Sequence, residues 1–235
     1  LVLREREDGE RSAVLLREAG FEPVLLPLSM IAPLDPAPPE NPLAGLVVTS
    51  RHAVPWLARH YFGSALPVLA VGEMTAEALR AAGFADVRAG PGRAADLVGL
   101  ADMLPTRAGE TFLYAAGRVR LPDLEAGFAR AGLPLRVVEA YDTVPAMPSD
   151  ATLEQARAGG PAQGVLILSR GQARAFGRFA ERAGHVLGED VALFCLSDAI
   201  ALELSPQFGK NAVVAEAPRF VSLVDAIKNW SEGRD

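Results

Sequence analysis

The chain contains one cysteine, Cys195, so an internal disulfide and any thiolate-based zinc cluster are excluded. Cys195 lies in the apolar run Val191-Ala-Leu-Phe-Cys-Leu196, where a buried, inert thiol is expected. Aromatic residues are also few, at 6%, whereas half of the chain is hydrophobic and rich in Ala, Leu, Val and Gly. That balance suits helices packed on buried parallel strands better than an all-β sandwich. Basic charge is not in excess: the formal net charge is −6, and no run of five or more Lys/Arg occurs. Nucleic-acid binding through a positive field is therefore not expected, and an anionic ligand must be held by local donors. No apolar stretch reaches the roughly 20 residues needed to span a bilayer. The opening Leu1-Val-Leu-Arg4 is too short for a signal-peptide core and reads as a first strand. It carries no initiator Met, which leaves room for residues upstream. A cytoplasmic protein that binds no membrane is the expectation.

Familiar catalytic signatures are missing as well. The chain has no Gly-x-Gly-x-x-Gly, no Walker loop, no Gly-x-Ser-x-Gly and no His-Glu-x-x-His. Ala89-Gly-Pro-Gly-Arg93 follows a strand but has the wrong spacing for a dinucleotide and reads as a plain βα turn. The three histidines, His52, His60 and His185, are scattered, and His60 and His185 read as solvated surface residues.

What the sequence does contain is an internal repeat. Gly45-Leu-Val-Val-Thr-Ser-Arg51 resembles Gly164-Val-Leu-Ile-Leu-Ser-Arg170, and Leu69–Ala76 echoes Phe194–Ala201. Leu15–Pro23 matches Gly127–Leu135, and Leu97–Leu104 pairs more weakly with Phe220–Ile227. The four matches keep one order and nearly one spacing, as a duplication would. Short apolar runs (Leu1–Leu3, Val24–Leu28, Leu46–Val48, Val68–Val71, Val87–Ala89) read as buried parallel strands. Helical patterns over Arg11–Ala19, His52–Arg59, Met74–Ala82 and Asp96–Leu104 separate them, with Gly20, Gly83, Gly132 and Gly184 where left-handed caps are wanted. The predicted fold is α/β, with two doubly wound parallel sheets covered by helices on both faces.

Proline breaks the alternation twice, in Pro33–Pro42 and in Thr143-Val-Pro-Ala-Met-Pro148. Both read as extended linkers. The simplest arrangement is a discontinuous lobe of residues 1–32 and 149–235 and a second lobe of 43–141, joined by linkers 33–42 and 142–148. In both repeats, polar groups stand at the carboxyl end of a strand just before a helix. They are Thr49-Ser50, Gly72-Glu73-Met74-Thr75, Ser169, and Ser197-Asp198. Open α/β sheets bind ligands at that edge, where helix N–H groups attract carboxylate or phosphate. Helix capping explains the same residues, and explains Asp198 better. Arg4, Arg51, Arg118, Arg120 and Arg170 also lie near strand ends, where they could pair with anionic groups.

The ordered set of segments resembles the uroporphyrinogen-III synthase family over essentially the whole chain. Pro27-Leu-Ser-Met-Ile-Ala-Pro33 looks like its PL-x-x-I-x-P segment, and Val48–Val54 like its F-T-S-x-N-A-V turn, with His52 in place of Asn. Val71–Ala76 matches V-G-x-x-T-A, and Tyr141-Asp-Thr-Val-Pro145 matches Y-x-T-x-P. Leu196–Ala201 departs from the family's I-G-x-T-T-A, having Ala199 and Ile200 where threonines are usual. The resemblance implies two HemD-like, flavodoxin-like lobes and a cofactor-free, cyclising lyase. Its substrate would be hydroxymethylbilane, a linear tetrapyrrole with eight carboxylates, closed with loss of water and inversion of the last ring. Tyr141 would be the catalytic acid. Thr49, Ser50, Arg51, Gly72, Glu73, Met74, Thr75, Gly117, Ser169, Arg170 and Ser197 would bind substrate. A monomer is expected, with room for a transient hand-over from the preceding pathway enzyme. A non-enzymatic two-lobed sensor and a nucleotide-sugar transferase are the competing readings. The absent signal peptide counts against the first, and the absent glycine-rich turns against the second.

Overall fold

The computed structural model describes residues 1–233. The first half of the chain runs α1 (Arg6–Glu18), β1 (Ser29–Pro33), β2 (Leu43–Val48), α2 (Val54–Tyr61), β3 (Val68–Ala70), α3 (Glu73–Ala81), β4 (Val87–Ala89) and α4 (Asp96–Asp102). It continues through β5 (Thr111–Gly117), α5 (Asp123–Arg130), β6 (Leu135–Pro145), α6 (Asp150–Arg157), β7 (Ala162–Ile167) and α7 (Arg170–Ala183). The last elements are β8 (Leu187–Cys195), α8 (Asp198–Ala201), α9 (Pro206–Gly209), β9 (Ala212–Val214) and α10 (Phe220–Glu232). Two compact units result, one of Ile31–Thr143, the other of Leu1–Met30 with the chain from Val144 onward.

In the continuous unit the strands lie in the order β6-β5-β2-β3-β4, all parallel, with β1 beyond β6. The sheet is buried on both faces because alternate side chains go to opposite sides. Leu46, Val48, Val68, Ala70, Leu113 and Ala115 pack under Trp56, Leu57 and Leu79, whereas Val47, Leu69, Phe112 and Tyr114 pack under Leu97, Leu124 and Phe128. Strand order reverses between β2 and β5, so the crevice of this doubly wound sheet lies at their carboxyl ends.

The other unit repeats the plan. Strands β7-β8-β9 are parallel. The expected strands Leu1–Leu3 and Val24–Leu28 appear only as isolated parallel bridges, Val2 with Leu166 and Val2 with Leu25. The resulting order, residues 24–28, 1–3, β7, β8, β9, parallels β6-β5-β2-β3-β4. The sequence matches fall on equivalent elements: β2 with β7, β3 with β8, α4 with α10, and the end of α1 with that of α5. Apart from β1, each unit therefore takes three strands from one repeat and two from the other. Here too the faces alternate, with Val165, Ile167, Leu193 and Cys195 on one side and Leu166, Ala192 and Phe194 on the other.

Several local expectations are corrected. Thr143–Pro145 ends strand β6 instead of standing free as a linker, and Ala146 N–H donates to Leu28 O at 2.9 Å. Residues 33–42 are tied to α2: Asp35 pairs with Arg59 at 2.7 Å and His60 at 3.1 Å, and Trp56 Nε1 donates to Pro36 O at 3.0 Å. His60 is thus not a solvated residue; its ring lies 4.8 Å from that of Trp56, and its hydrogen bond pulls Asp35 below the usual carboxylate range. His185 sits 3.7 Å from Glu154. Gly20, Gly83 and Gly132 have positive φ, but Gly184 has φ −55° and opens a 3-10 turn directly after α7.

Candidate active site

Register places three strand ends of the continuous unit side by side. Val48 pairs with Ala115 and Gly117 with Tyr141. Between Ala116↔Glu139 and Gly117↔Tyr141 the register shifts, leaving Ala140 as an extra residue in β6. Strict alternation would put Tyr141 on the side of Val137. The bulge turns it onto the face of Val138 and Ala140 instead. There its ring meets His52 edge-on at 5.5 Å. Gly117 makes room for the phenol, because a Cβ at that position would lie 2.8–2.9 Å from Tyr141 ring and hydroxyl atoms. Arg118 N–H donates to Tyr141 O at 2.9 Å and fixes the backbone.

On the opposite face, Thr49 continues the row begun by Val47. Its Oγ1 is 2.7 Å from the hydroxyl of the buried Tyr114. Burial pushes the Tyr114 phenol above its ordinary value, Thr49 opposes the shift, and Glu125, Tyr141 and Arg120 act on it electrostatically. Glu125 accepts from Arg120 Nε at 2.8 Å through Oε1, while its Oε2 is buried without a hydrogen-bond partner. Arg118 donates to Glu139 at 3.0 Å and to Asp142 at 2.9 Å, and Arg120 also reaches Glu139 at 3.4 Å. The Arg118 hydrogen bond holds Glu139 below the usual carboxylate range. These cations are largely neutralised locally, so the edge offers mainly uncharged donors.

Ser50 caps the turn that follows: its Oγ accepts from His52 N–H at 3.3 Å. Arg51 and His52 form the 3-10 turn that follows. At the end of β3, Gly72 caps α3 in extended conformation without a side-chain bond. Thr75 and Ala76 N–H donate to Gly72 O at 3.1 Å, which leaves the N–H groups of Glu73 and Met74 without an acceptor in the helix. Glu73 is exposed and pairs with Arg80, Met74 is exposed, and Thr75 is buried at 7% exposure. In the other unit Ser169 caps α7 through Gln172 N–H at 3.1 Å, and Arg170 lies 3.9 Å from Glu203. Ser197 stands at the head of α8 and makes no capping bond. That unit also has a cavity of about 1050 Å³, but it opens at the amino ends of the strands, by Leu1, Gly164, Gly188 and Trp230. Within either unit taken alone, no three His, Cys, Asp or Glu side chains among the described residues bring metal-ligand atoms together.

The family model of uroporphyrinogen-III synthase HemD matches residues 10–225. The chain belongs to the uroporphyrinogen-III synthase family. Among solved structures it is similar to the uroporphyrinogen-III synthetase of Helicobacter pylori 26695, at 18% identity and TM-score 0.63, over 88% of this chain and 92% of that one. It also matches the uroporphyrinogen III synthase of the extremely thermophilic bacterium Thermus thermophilus at 19% identity and TM-score 0.40, over 100% and 99%. At 18% identity the likeness to the Helicobacter pylori structure is one of fold. Curated protein sequences give no match to the chain.

For a uroporphyrinogen-III synthase family member, the residues expected to act divide into two groups. Thr49, Ser50, Arg51, Gly72–Thr75, Gly117 and Tyr141 share one carboxyl edge in the continuous unit, and Ser169, Arg170 and Ser197 stand at the corresponding edge of the other. Sequence reasoning missed Tyr114, Glu125 and Glu139. Tyr114 carried a usable signal: a tyrosine inside the apolar strand Thr111-Phe-Leu-Tyr-Ala-Ala-Gly117 needs a partner for its hydroxyl.

Proposed function

We propose that this protein acts as a uroporphyrinogen-III synthase, closing hydroxymethylbilane with loss of water and inversion of the terminal pyrrole ring. The observation that carries this reading is the family match across residues 10–225. The strand-end geometry supports it. Loss of hydroxide from an electron-rich pyrrole is easy, so the protein has mainly to fold the substrate and choose the carbon attacked. Uncharged donors suit such positioning. The Thr49 hydroxyl, the N–H groups at the head of α3, and Ser197 in the other unit would hold carboxylate arms. Ser50 and Ser169, whose oxygens accept capping bonds, keep a hydroxyl proton to donate to a carboxylate. Arg51, Glu73, Met74, Thr75 and Gly117 in the continuous unit, and Arg170 in the other, are the remaining proposed substrate-binding residues. Tyr141, held over Gly117, is the proposed general acid for the departing hydroxyl. The activity is that of a lyase, carried out by a cytoplasmic monomer. Among the described residues no helix is long and apolar enough to cross a membrane. Membership of a synthase family does not favour the sensor alternative.

The test is the isomer ratio of uroporphyrin after supplying freshly generated hydroxymethylbilane and oxidising the products. Predominant isomer III is expected, since unaided closure gives isomer I. Formation of isomer I at the rate without enzyme, by demonstrably folded protein, would refute the assignment. In the same assay Tyr141→Phe is expected to turn over more than about tenfold more slowly. A wild-type rate in that variant would leave positioning as the whole mechanism.

A further inference from the structure

Tyr114 is the one tyrosine set inside the buried core of a strand, and its hydroxyl lies 2.7 Å from Thr49 Oγ1. Tyr114 pairs in register with Val47, two residues before Thr49 on the same face. The two hydroxyls therefore meet where β2 and β5 end, at the reversal of strand order in this sheet. A threonine hydroxyl has one proton and two lone pairs. A phenol is the more acidic of the two groups and so the better donor. Donation from Tyr114 to Thr49 occupies one lone pair of Oγ1 and leaves the Thr49 proton to be given elsewhere. Below Thr49 lie Tyr114 and the buried side chains of that face, so the proton is directed beyond the strand end.

We propose that Tyr114 is a positioning residue: it fixes the Thr49 hydroxyl so that its proton is presented to a carboxylate of the substrate. This rests on the synthase reading given above. Burial keeps the phenol protonated, so the donor persists through neutral and mildly alkaline pH. The charged neighbours from α5 and the preceding loop, Glu125 and Arg120, are paired with each other at 2.8 Å. They leave Thr49 as the partner of the phenol. A purely structural role would be different in kind: the phenol would then serve only to satisfy itself in the core, and its loss would lower stability without changing affinity.

The experiment is a double-mutant cycle of Tyr114→Phe and Thr49→Val on the full chain, reading KM and kcat for isomer III formation together with Tm. One net hydrogen bond corresponds to a change of about two- to tenfold. Each single variant is expected to raise KM by that factor, with a smaller change in kcat. The double variant should be no worse than Thr49→Val alone, and Thr49→Ser, which keeps the hydroxyl, should recover most of the KM lost in Thr49→Val. Tyr114→Phe with unaltered KM, or effects of the two substitutions that multiply, would overturn the proposal, even where Tm falls. A wild-type protein that forms no isomer III would overturn the synthase reading, and with it this role for Tyr114.

Discussion

Tyr141 owes its position to its neighbours: an extra residue before it, a glycine beneath it and an imidazole beside it. Ser50 and Ser169 show a different case, since each hydroxyl oxygen already accepts a helix-capping bond and has only its proton left to give. Residue type alone could not separate these roles, because serine at a strand-helix junction serves capping and ligand binding equally well. Cys195 was legible. It is fully buried, and burial pushes its thiol up to about 11 from an ordinary value of 9.0. Below pH 9 the thiol is neutral in folded and unfolded chains alike, and its contribution is fully present. Between pH 9 and about 11 only the unfolded chain ionises, so stability is lost as pH rises through that window. The Tm of the wild type should therefore fall more steeply there than that of Cys195→Ala, and a thiol reagent should label Cys195 only on unfolding. Rapid labelling of the native protein, or parallel Tm curves, would contradict this.

At the scale of elements, short apolar runs predicted β2, β3 and β4, because a strand buried on two faces is a continuous apolar run. The β6 bulge left no such trace. Leu135-Arg-Val-Val-Glu-Ala-Tyr-Asp-Thr-Val-Pro145 reads as an ordinary extended segment, and its two-against-one pairing with β5 arises only where the strands meet. Deleting Ala140 would remove the extra residue and let Tyr141 follow Glu139 directly, on the face of Val138 where it already lies. Turnover within a few-fold of wild type is therefore expected from a deletion variant that keeps a cooperative thermal transition. A loss as large as in Tyr141→Phe would show that the extra residue itself is needed to seat the phenol. The proline-rich stretch 33–42 was read correctly as non-helical, but its attachment to α2 through Asp35 and Pro36 depends on contacts with residues about 20 positions away.

At the scale of the whole molecule, chain continuity and compactness do not coincide. Residues 31–143 form one unit with buried side chains on both faces of the sheet. The other unit needs residues 1–30, since Val2 lies between Leu25 and Leu166 and its side chain packs with Leu166 and Phe194. A fragment of residues 31–143 is expected to unfold cooperatively by circular dichroism, whereas the chain from residue 144 onward is not. It would lack two neighbouring strand segments and leave the Phe194 and Val165 faces short of their partners. A cooperative transition from the second fragment would show that residues 1–30 are dispensable to the core.

The sequence by itself determined the repeat, the α/β class, the burial of Cys195 and the family, because apolar periodicity and ordered local motifs are properties of short segments. Tertiary structure alone decided that Tyr141 changes face at a bulge and that Tyr114 meets Thr49. Those features depend on strand register between residues as far as 65 positions apart, and no local pattern encodes register across such a separation.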